Sequence, residues 1–318
     1  MKQNRKVAII GMGHVGSHVA SMLMTRSICD ELVLIDSDEG KMRAQTVDLS
    51  DSLAYQDGHC KVYWGEYSDI SDADIIVLSV GGKFFDENRL EELDSSMEIV
   101  DEIAPKIENS GFRGIVISIT NPCDLVAYYL QKKISATVIG SGTALDSARF
   151  RIRVAQAFNV DVKSVDAFCI GEHGDSQVPV WSQVKIGGKF LKEILQEDEW
   201  DYILFDKRKI EKSTVFAGWE IADAKGSTEF GIGIAASELI KAIFSDANVI
   251  LPCSVLLKGT YGEENIYTSV PCLIGRSGVK KVWELPIAAE EEKAFHQSCR
   301  LLRSYICQKM ENKAQNGK

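Results

Sequence analysis

Six short apolar runs, separated by stretches of helical periodicity, limit what the first part of this chain can fold into. Lys6–Ile10, Leu32–Asp36, Lys61–Trp64, Asp74–Val80, Gly114–Thr120 and Thr137–Ile139 read as strands. His14–Thr25, Gly40–Ala54, Leu90–Asn109 and Asp124–Lys132 read as the helices between them. A strand that is apolar on both faces can put neither face in water, so the pattern predicts a parallel sheet with helices on both sides. Six such strands make the two mononucleotide-binding halves of a doubly wound α/β sheet, and residues 1–141 are expected to form that domain.

After residue 141 the rhythm changes. Thr143–Phe158, Lys207–Ala224 and Gly231–Phe244 read as helices, Val249–Leu257 and Tyr267–Ile274 as strands, and Glu291–Met310 as a long amphipathic closing helix. Residues 142–318 are therefore expected to form an α+β domain, packed tightly on the first because no Pro/Ser-rich linker divides them. With 45% apolar and 26% charged residues, the chain can build a core without disulfide or metal staples. Its formal charge is -10 and no block of Lys/Arg occurs, which disfavours nucleic acid and anionic membrane, since both need a positive field. No apolar run reaches membrane-spanning length, and MKQNRK leads straight into the strand-like VAII with no room for a signal peptide, so a cytoplasmic protein is expected. The eight cysteines show no CxxC spacing and several sit in apolar runs, as small buried thiols of a reducing compartment do. No metal site is expected.

Gly11-Met12-Gly13-His14-Val15-Gly16 follows the first strand and opens the first helix. A glycine-rich turn alone says little, but at this junction each glycine has a physical task. Gly11 permits a tight turn, Gly13 lets the main chain approach a pyrophosphate, and Gly16 lets helix and strand pack closely. The phosphates would meet the unpaired N–H groups of a helix N-terminus. Asp36 ends the second strand, 25 residues after Gly11, where such a fold needs a carboxylate for ribose hydroxyls. Asp38 and Glu39 follow, and their charge would repel a 2′-phosphate, so NAD rather than NADP is the expected cofactor. His14 and His18 have the spacing of a zinc pair, but no Glu follows His14 and a glycine lies between, so they read as ordinary surface histidines.

Four polar residues stand out against apolar surroundings. His173 lies in Ile170-Gly171-Glu172-His173-Gly174-Asp175-Ser176, with glycines on both sides. Asp146 and Arg149 stand three apart and so are neighbours on one helix. Asn121, followed by Pro122, closes the strand Ile115–Thr120 at a carboxyl end, where open α/β sheets bind ligands. Taken singly, a plain helix ion pair accounts for Asp146 and Arg149, and a helix cap for Asn121.

Taken together, GSGTALDSARFR, IGEHGDSQVPVWS, SITNPCDLVAY and ENRLEEL stand in the order and near the spacing of the L-lactate/malate dehydrogenase family, which the chain resembles from Lys6 to Met310. The resemblance implies a Rossmann domain followed by a catalytic domain, working as a dimer or tetramer. It implies hydride transfer between the nicotinamide of NAD and a small L-2-hydroxy or 2-oxo acid. His173 then resembles the group that exchanges a proton with the substrate oxygen, and Asp146 the carboxylate that orients it. Arg149 resembles the guanidinium that grips the substrate carboxylate at two points. Arg89 is similar to the arginine that polarises the carbonyl, at the end of a closing loop Gly81–Asn88. Asn121 and Ser141 are similar to the groups that place the substrate oxygen and the nicotinamide amide, and Thr228 to a substrate-site threonine of lactate enzymes.

The chain departs from the family in that loop. Lactate enzymes carry a glutamine a few residues before the loop arginine, and malate enzymes a second arginine. Counting back from Arg89 puts Lys83 there; counting on from Gly81 leaves Lys83, Phe84 or Phe85. Two phenylalanines suit an apolar substrate tail, as in the 2-hydroxyisocaproate branch, whereas Lys83 could pair with an acidic one. A lactate-type or branched 2-hydroxy acid is expected, with malate as the alternative. Some family members bind fructose 1,6-bisphosphate through an arginine and a histidine. Arg151 matches the arginine, but Asp166 stands at the histidine position and would repel a phosphate, so that activation is not expected. A non-catalytic NAD-binding protein on the same fold is the alternative of another kind. Retention of His173, Asp146, Arg149 and Arg89 together argues against it.

Overall fold

Val7, Ala8, Ile9 and Ile10 are each at most 2% exposed, with Val7 and Ile9 in one apolar cluster and Ala8 and Ile10 in another. Alternate residues of one strand thus feed two cores, one on each face of the sheet. Val7, Ile9 and Ile10 each contribute about 1.5–3 kcal/mol by leaving water, and Ile9→Ala would cost roughly 2–5 kcal/mol. The computed structural model describes residues 4–81, 89–197 and 205–311, of which 89–91 and 310–311 are described as backbone only. β1 (Lys6–Ile10), β2 (Glu31–Ile35), β3 (Lys61–Trp64), β4 (Ile75–Leu78), β5 (Ile115–Ser118) and β6 (Thr137–Gly140) run parallel in the order β3-β2-β1-β4-β5-β6. α1 (His14–Thr25), α2 (Glu39–Ser52), α3 (Arg89–Asn109) and α4 (Cys123–Gln131) lie between them in the chain. The strand order reverses between β1 and β4, which opens a crevice at the carboxyl ends of the strands.

At those carboxyl ends the strands stop earlier than their sequence suggests. β2 ends at Ile35, leaving Asp36 just beyond it, and β5 ends at Ser118 rather than Thr120. Just beyond, main-chain bonds still run from Ser79 to Ile10 at 2.8 Å and from Ile119 to Leu78 at 2.9 Å, and the Thr120 hydroxyl adds a bond to the Val80 carbonyl at 2.8 Å.

The second half holds α5 (Ala144–Ala157), α6 (Leu191–Ile194), α7 (Lys207–Lys225), α8 (Phe230–Phe244) and α9 (Ala289–Ile306). It also holds five two-residue strands that the apolar pattern does not reveal: β7 (Val165–Asp166), β8 (Cys169–Ile170), β9 (Val178–Pro179), β10 (Lys185–Ile186) and β11 (Lys189–Phe190). Three long strands follow, β12 (Val249–Lys258), β13 (Glu264–Gly275) and β14 (Gly278–Val282), the last also unforeseen. β12 pairs antiparallel with β6 at Ser254 and Gly140, so β12, β13 and β14 extend the parallel sheet to nine strands. The two halves are therefore joined by main-chain pairing, which also covers the open edge of β6. A third cluster, away from that sheet, sets Phe150 of α5 edge-on against Trp181 with ring centres 4.7 Å apart, and so anchors α5. No helix among the described residues is long and apolar enough to cross a membrane.

Candidate active site

The short strands β8 and β9 pair with each other and present the loop that carries His173. Three neighbouring elements pin this loop at successive residues. Gly171 exchanges main-chain hydrogen bonds of 2.9 and 3.0 Å with Ser269 of β13. The Glu172 N–H donates to the hydroxyl of Ser298 on α9 at 2.8 Å, and the His173 N–H to the carboxylate of Asp124 on α4 at 2.7 Å. The loop has no regular structure of its own, so these bonds replace a ladder in fixing the imidazole.

Asp146 and Arg149 sit on α5, three residues apart, and both are buried. One Asp146 oxygen lies 2.6 Å from His173 Nδ1, and the other accepts from Arg149 Nη1 at 3.1 Å. Burial alone would raise the Asp146 pKa. The His173 imidazole and the Arg149 guanidinium outweigh it, and the carboxyl is held below its ordinary value. Asp124 has no guanidinium bonded to it, and burial pushes it up to about 6 against the pull of Ser254, the His173 N–H and the His173 ring, with Glu172 adding to the rise. The helix ion pair expected of Asp146 and Arg149 is thus present, and its carboxylate also serves the histidine.

His173, Asp146, Arg149, Asn121, Ser141 and Thr228 line one cavity. The Asn121–Pro122 peptide is cis, and the Asn121 carbonyl accepts from Ser96 of α3 at 2.7 Å. Arg89 is the first residue of α3, and its side chain lies outside the described residues, as do residues 82–88 with Lys83, Phe84 and Phe85. One helical turn on, Glu92 does reach the cavity. Glu92, Asp124 and the bond from Trp219 Nε1 to Asp175 at 3.0 Å escaped the sequence reading. Asp124 looks there like a common acid in the first turn of a helix, and only the fold buries it.

The glycine turn lies at the carboxyl end of β1. Gly11 has φ +98, and a Cβ on it would stand 2.4 Å from the Ser79 carbonyl oxygen; on Gly16 it would stand 2.0 Å from the Gly11 oxygen. On Gly13 it would meet nothing within 4 Å, so that residue faces open space. The first turn of α1 has neither a side-chain cap nor an acidic residue, which leaves its N–H groups for an anion. Asp38, by contrast, caps α2 by accepting from the Lys41 N–H at 2.9 Å. Asp36 accepts from the N–H of Met12 at 2.6 Å and of Asp38 at 3.0 Å, with Lys41 Nζ 3.4 Å away. Burial opposes ionisation of Asp36, but those bonds and Lys41 outweigh it and keep its pKa low. These residues fit a dinucleotide: a backbone cradle for phosphate, with an ionised carboxylate one strand away for ribose. Val15 of the same helix lines the cavity of His173, so the two regions adjoin.

Among the described residues no group of three or more His, Cys, Asp or Glu could hold a metal ion. Cys29, Cys60, Cys123, Cys169, Cys253, Cys272 and Cys299 are buried free thiols, while Cys307 is exposed. Arg151 is part-buried and Asp166 lies exposed on β7.

The chain is similar to known proteins along nearly its whole length. Residues 5–139 match the NAD binding domain of lactate/malate dehydrogenases, and residues 143–313 match their alpha/beta C-terminal domain. The L-lactate dehydrogenase of Fusobacterium nucleatum is 38% identical over 309 residues, covering 96% of this chain and 97% of that protein. The crystal structure of the minor L-lactate dehydrogenase of Enterococcus mundtii, in its ligands-bound form, superposes with a TM-score of 0.92 at 33% identity, covering 97% of this chain and 99% of that one. That of Cryptosporidium parvum malate dehydrogenase superposes with a TM-score of 0.89 at 28% identity, covering 96% and 99%. The chain belongs to the lactate/malate dehydrogenase family, whose members are NAD-dependent oxidoreductases.

Proposed function

We propose that the chain is an L-2-hydroxy acid dehydrogenase of the lactate type, reducing pyruvate or a related 2-oxo acid reversibly with NADH. The observation that carries this reading is the contact chain Arg149–Asp146–His173 inside the cavity that Val15, Asn121 and Thr228 also line. NAD, when bound, carries the hydride; the protein supplies position and charge. Reduction builds negative charge on the carbonyl oxygen, and a cationic imidazole is the group to meet it. Nδ1 of His173 faces Asp146, so proton exchange with the substrate falls to Nε2. Asp146 fixes that tautomer and stabilises the imidazolium. Arg149 holds the substrate carboxylate, which decides the face the carbonyl presents. Arg89 polarises the carbonyl, while Asn121 and Ser141 place the substrate oxygen and the nicotinamide amide. Residues 11–16 and Asp36 hold the dinucleotide, so residues 1–141 bind NAD, and residues 142–318 supply His173, Asp146 and Arg149. The reading includes a homo-oligomer, dimer or tetramer, in the cytoplasm. Phe230 and Ile234, 60% and 42% exposed on one face of α8, suit a subunit contact.

Initial rates of NADH oxidation with pyruvate, 2-oxoisocaproate and oxaloacetate, side by side, test it. Pyruvate or 2-oxoisocaproate should give the highest kcat/KM, because each buried methylene of a substrate tail adds about 0.8 kcal/mol. Lys83→Ala should keep that order, since a lysine is a point charge that selects a distal carboxylate weakly. Oxaloacetate as the best substrate, with Lys83→Ala abolishing its advantage, makes this a malate-type enzyme with a lysine selector.

A further inference from the structure

Glu229 follows Thr228 directly in the chain and is only 7% exposed. Four side chains close on its carboxylate. Lys225, from the end of α7, pairs with one oxygen. The Ser227 hydroxyl donates to the other at 3.0 Å. His14 Nδ1 lies 3.3 Å away and His18 Nε2 3.9 Å. Both histidines belong to α1, and His14 is its first residue, immediately after Gly13 of the phosphate turn. His14 is 81% exposed, and its Nε2 has no protein partner among the described residues. His18 is fixed more firmly, with Nδ1 2.7 Å from the His14 carbonyl and its ring edge-on to Phe230 at 4.8 Å. The arrangement repeats the device at His173: a buried carboxylate behind an imidazole, here beside an uncapped helix N-terminus.

We propose that His14, backed by His18 and held on Glu229, is a further cofactor-binding residue whose imidazolium helps to bind the pyrophosphate of the dinucleotide, so that cofactor affinity rises as pH falls through the imidazole range. The proposal rests on residues 11–16 being the phosphate turn. Among the described residues, the charged groups facing the pair are Glu229 before α8, Lys225 at the end of α7, and Asp48 of α2, which shares a groove with His18. With both imidazoles neutral these three sum to one negative charge; with both protonated the five sum to one positive charge. A bound pyrophosphate favours the charged form of an imidazole beside it. The complex then binds more protons than the free protein, so acid strengthens it.

Calorimetric titration of the full chain with ADP-ribose tests this without touching His173, because ADP-ribose lacks the nicotinamide. Adenosine, which lacks the pyrophosphate, is the control. From pH 8.0 to pH 5.5 the wild type should bind ADP-ribose about 5-fold more tightly, while adenosine affinity stays level. His14→Gln, at an exposed position that does not endanger the fold, should remove most of that gain, and His14→Gln with His18→Gln all of it. A wild-type ADP-ribose affinity that ignores pH overturns the proposal, as does a full gain in the double variant or an equal gain with adenosine. Failure of ADP-ribose to bind at either pH overturns the reading of the phosphate turn as well.

Discussion

Asp146 and Asp124 occupy matching places in two helices that face the same residue, yet their charges behave in opposite ways. Each lies in the first turn of its helix, where the helix dipole favours an anion. Each is at most 2% exposed. Each is bonded to His173, Asp146 through the ring and Asp124 through the main-chain N–H. Burial pushes both upward, but Asp146 ends below its ordinary pKa and Asp124 at about 6. The difference is how the counter-charge is held: Asp146 is bonded directly to the imidazole and to a guanidinium, whereas Asp124 feels the imidazole without bonding its ring and has Glu172 working against it. Hydrogen bonds and an imidazole whose ring is not bonded do not offset the desolvation of this carboxylate, whereas two directly bonded cationic groups offset that of Asp146. The ionised carboxylate therefore stands on the ring side of His173, where a positive imidazole is useful, and the readily protonated one on its main-chain side, where only an acceptor is needed.

His173→Asn removes the ring from this comparison and leaves the main-chain bond to Asp124. Turnover with pyruvate should fall by on the order of 10³-fold, since proton transfer is lost. NADH affinity, read from the fluorescence of the bound cofactor, should stay within a few-fold. Near-normal turnover would show that neither carboxylate serves chemistry at this histidine. Arg149→Lys keeps a cation beside Asp146 but loses the two-point fork, so kcat/KM for pyruvate should drop by about 3 kcal/mol. An unchanged pyruvate KM in that variant places the carboxylate grip elsewhere. Asp146→Asn keeps the hydrogen-bond acceptor and deletes the charge. It should cost roughly 10- to 10²-fold in kcat and move the alkaline limb of the reduction profile to lower pH, because the imidazolium loses its counter-ion. A profile that loses height without moving would mean that Asp146 orients the ring and does nothing to its charge.

The same two carboxylates mark how far the sequence could be read. Asp146 was legible because Arg149 follows at helical spacing and the surrounding GSGTALDSARFR is similar to one family in particular. Asp124 was not, since its burial depends on β12, β13 and α9 arriving from the other end of the chain. Most of the parallel strands were legible because they are buried on both faces and so nearly apolar throughout; β3, at the sheet edge with Lys61 and Trp64 exposed, is the exception. β7 to β11 are two residues long, too short for any period to show. Of these, β8 and β9 carry the His173 loop, which its glycines and polar residues do announce. That β12 would extend β6 could not be read either, as a strand's sequence records its burial but not the neighbour it pairs with. Glu92 was missed because one glutamate in a charged helical segment looks like every other.

The smallest effect concerns Asp124 and stability, and its sign follows from the direction of its shift. Its pKa is about 6 folded against an ordinary 3.8, so the folded protein holds the proton more tightly than the unfolded chain. The stability this contributes is complete below the unfolded value and is lost as pH rises through the folded one. Asp124→Asn still accepts the His173 N–H but cannot ionise, so it lacks that loss. Urea unfolding of both proteins at fixed protein concentration, at pH 5 and at pH 7.5, isolates the difference. Between those two pH values the stability of Asp124→Asn relative to wild type should improve by about 1 kcal/mol, whatever constant offset the amide introduces through packing. At Asp146 the direction reverses: its depressed pKa stabilises the folded protein above the unfolded value and is lost as pH falls through the folded one, so Asp146→Asn should gain nothing between pH 5 and 7.5. A stability difference between Asp124→Asn and wild type that does not change with pH would mean that Asp124 is as fully ionised as Asp146. The contrast between bonded and unbonded counter-charge would then not hold in this protein.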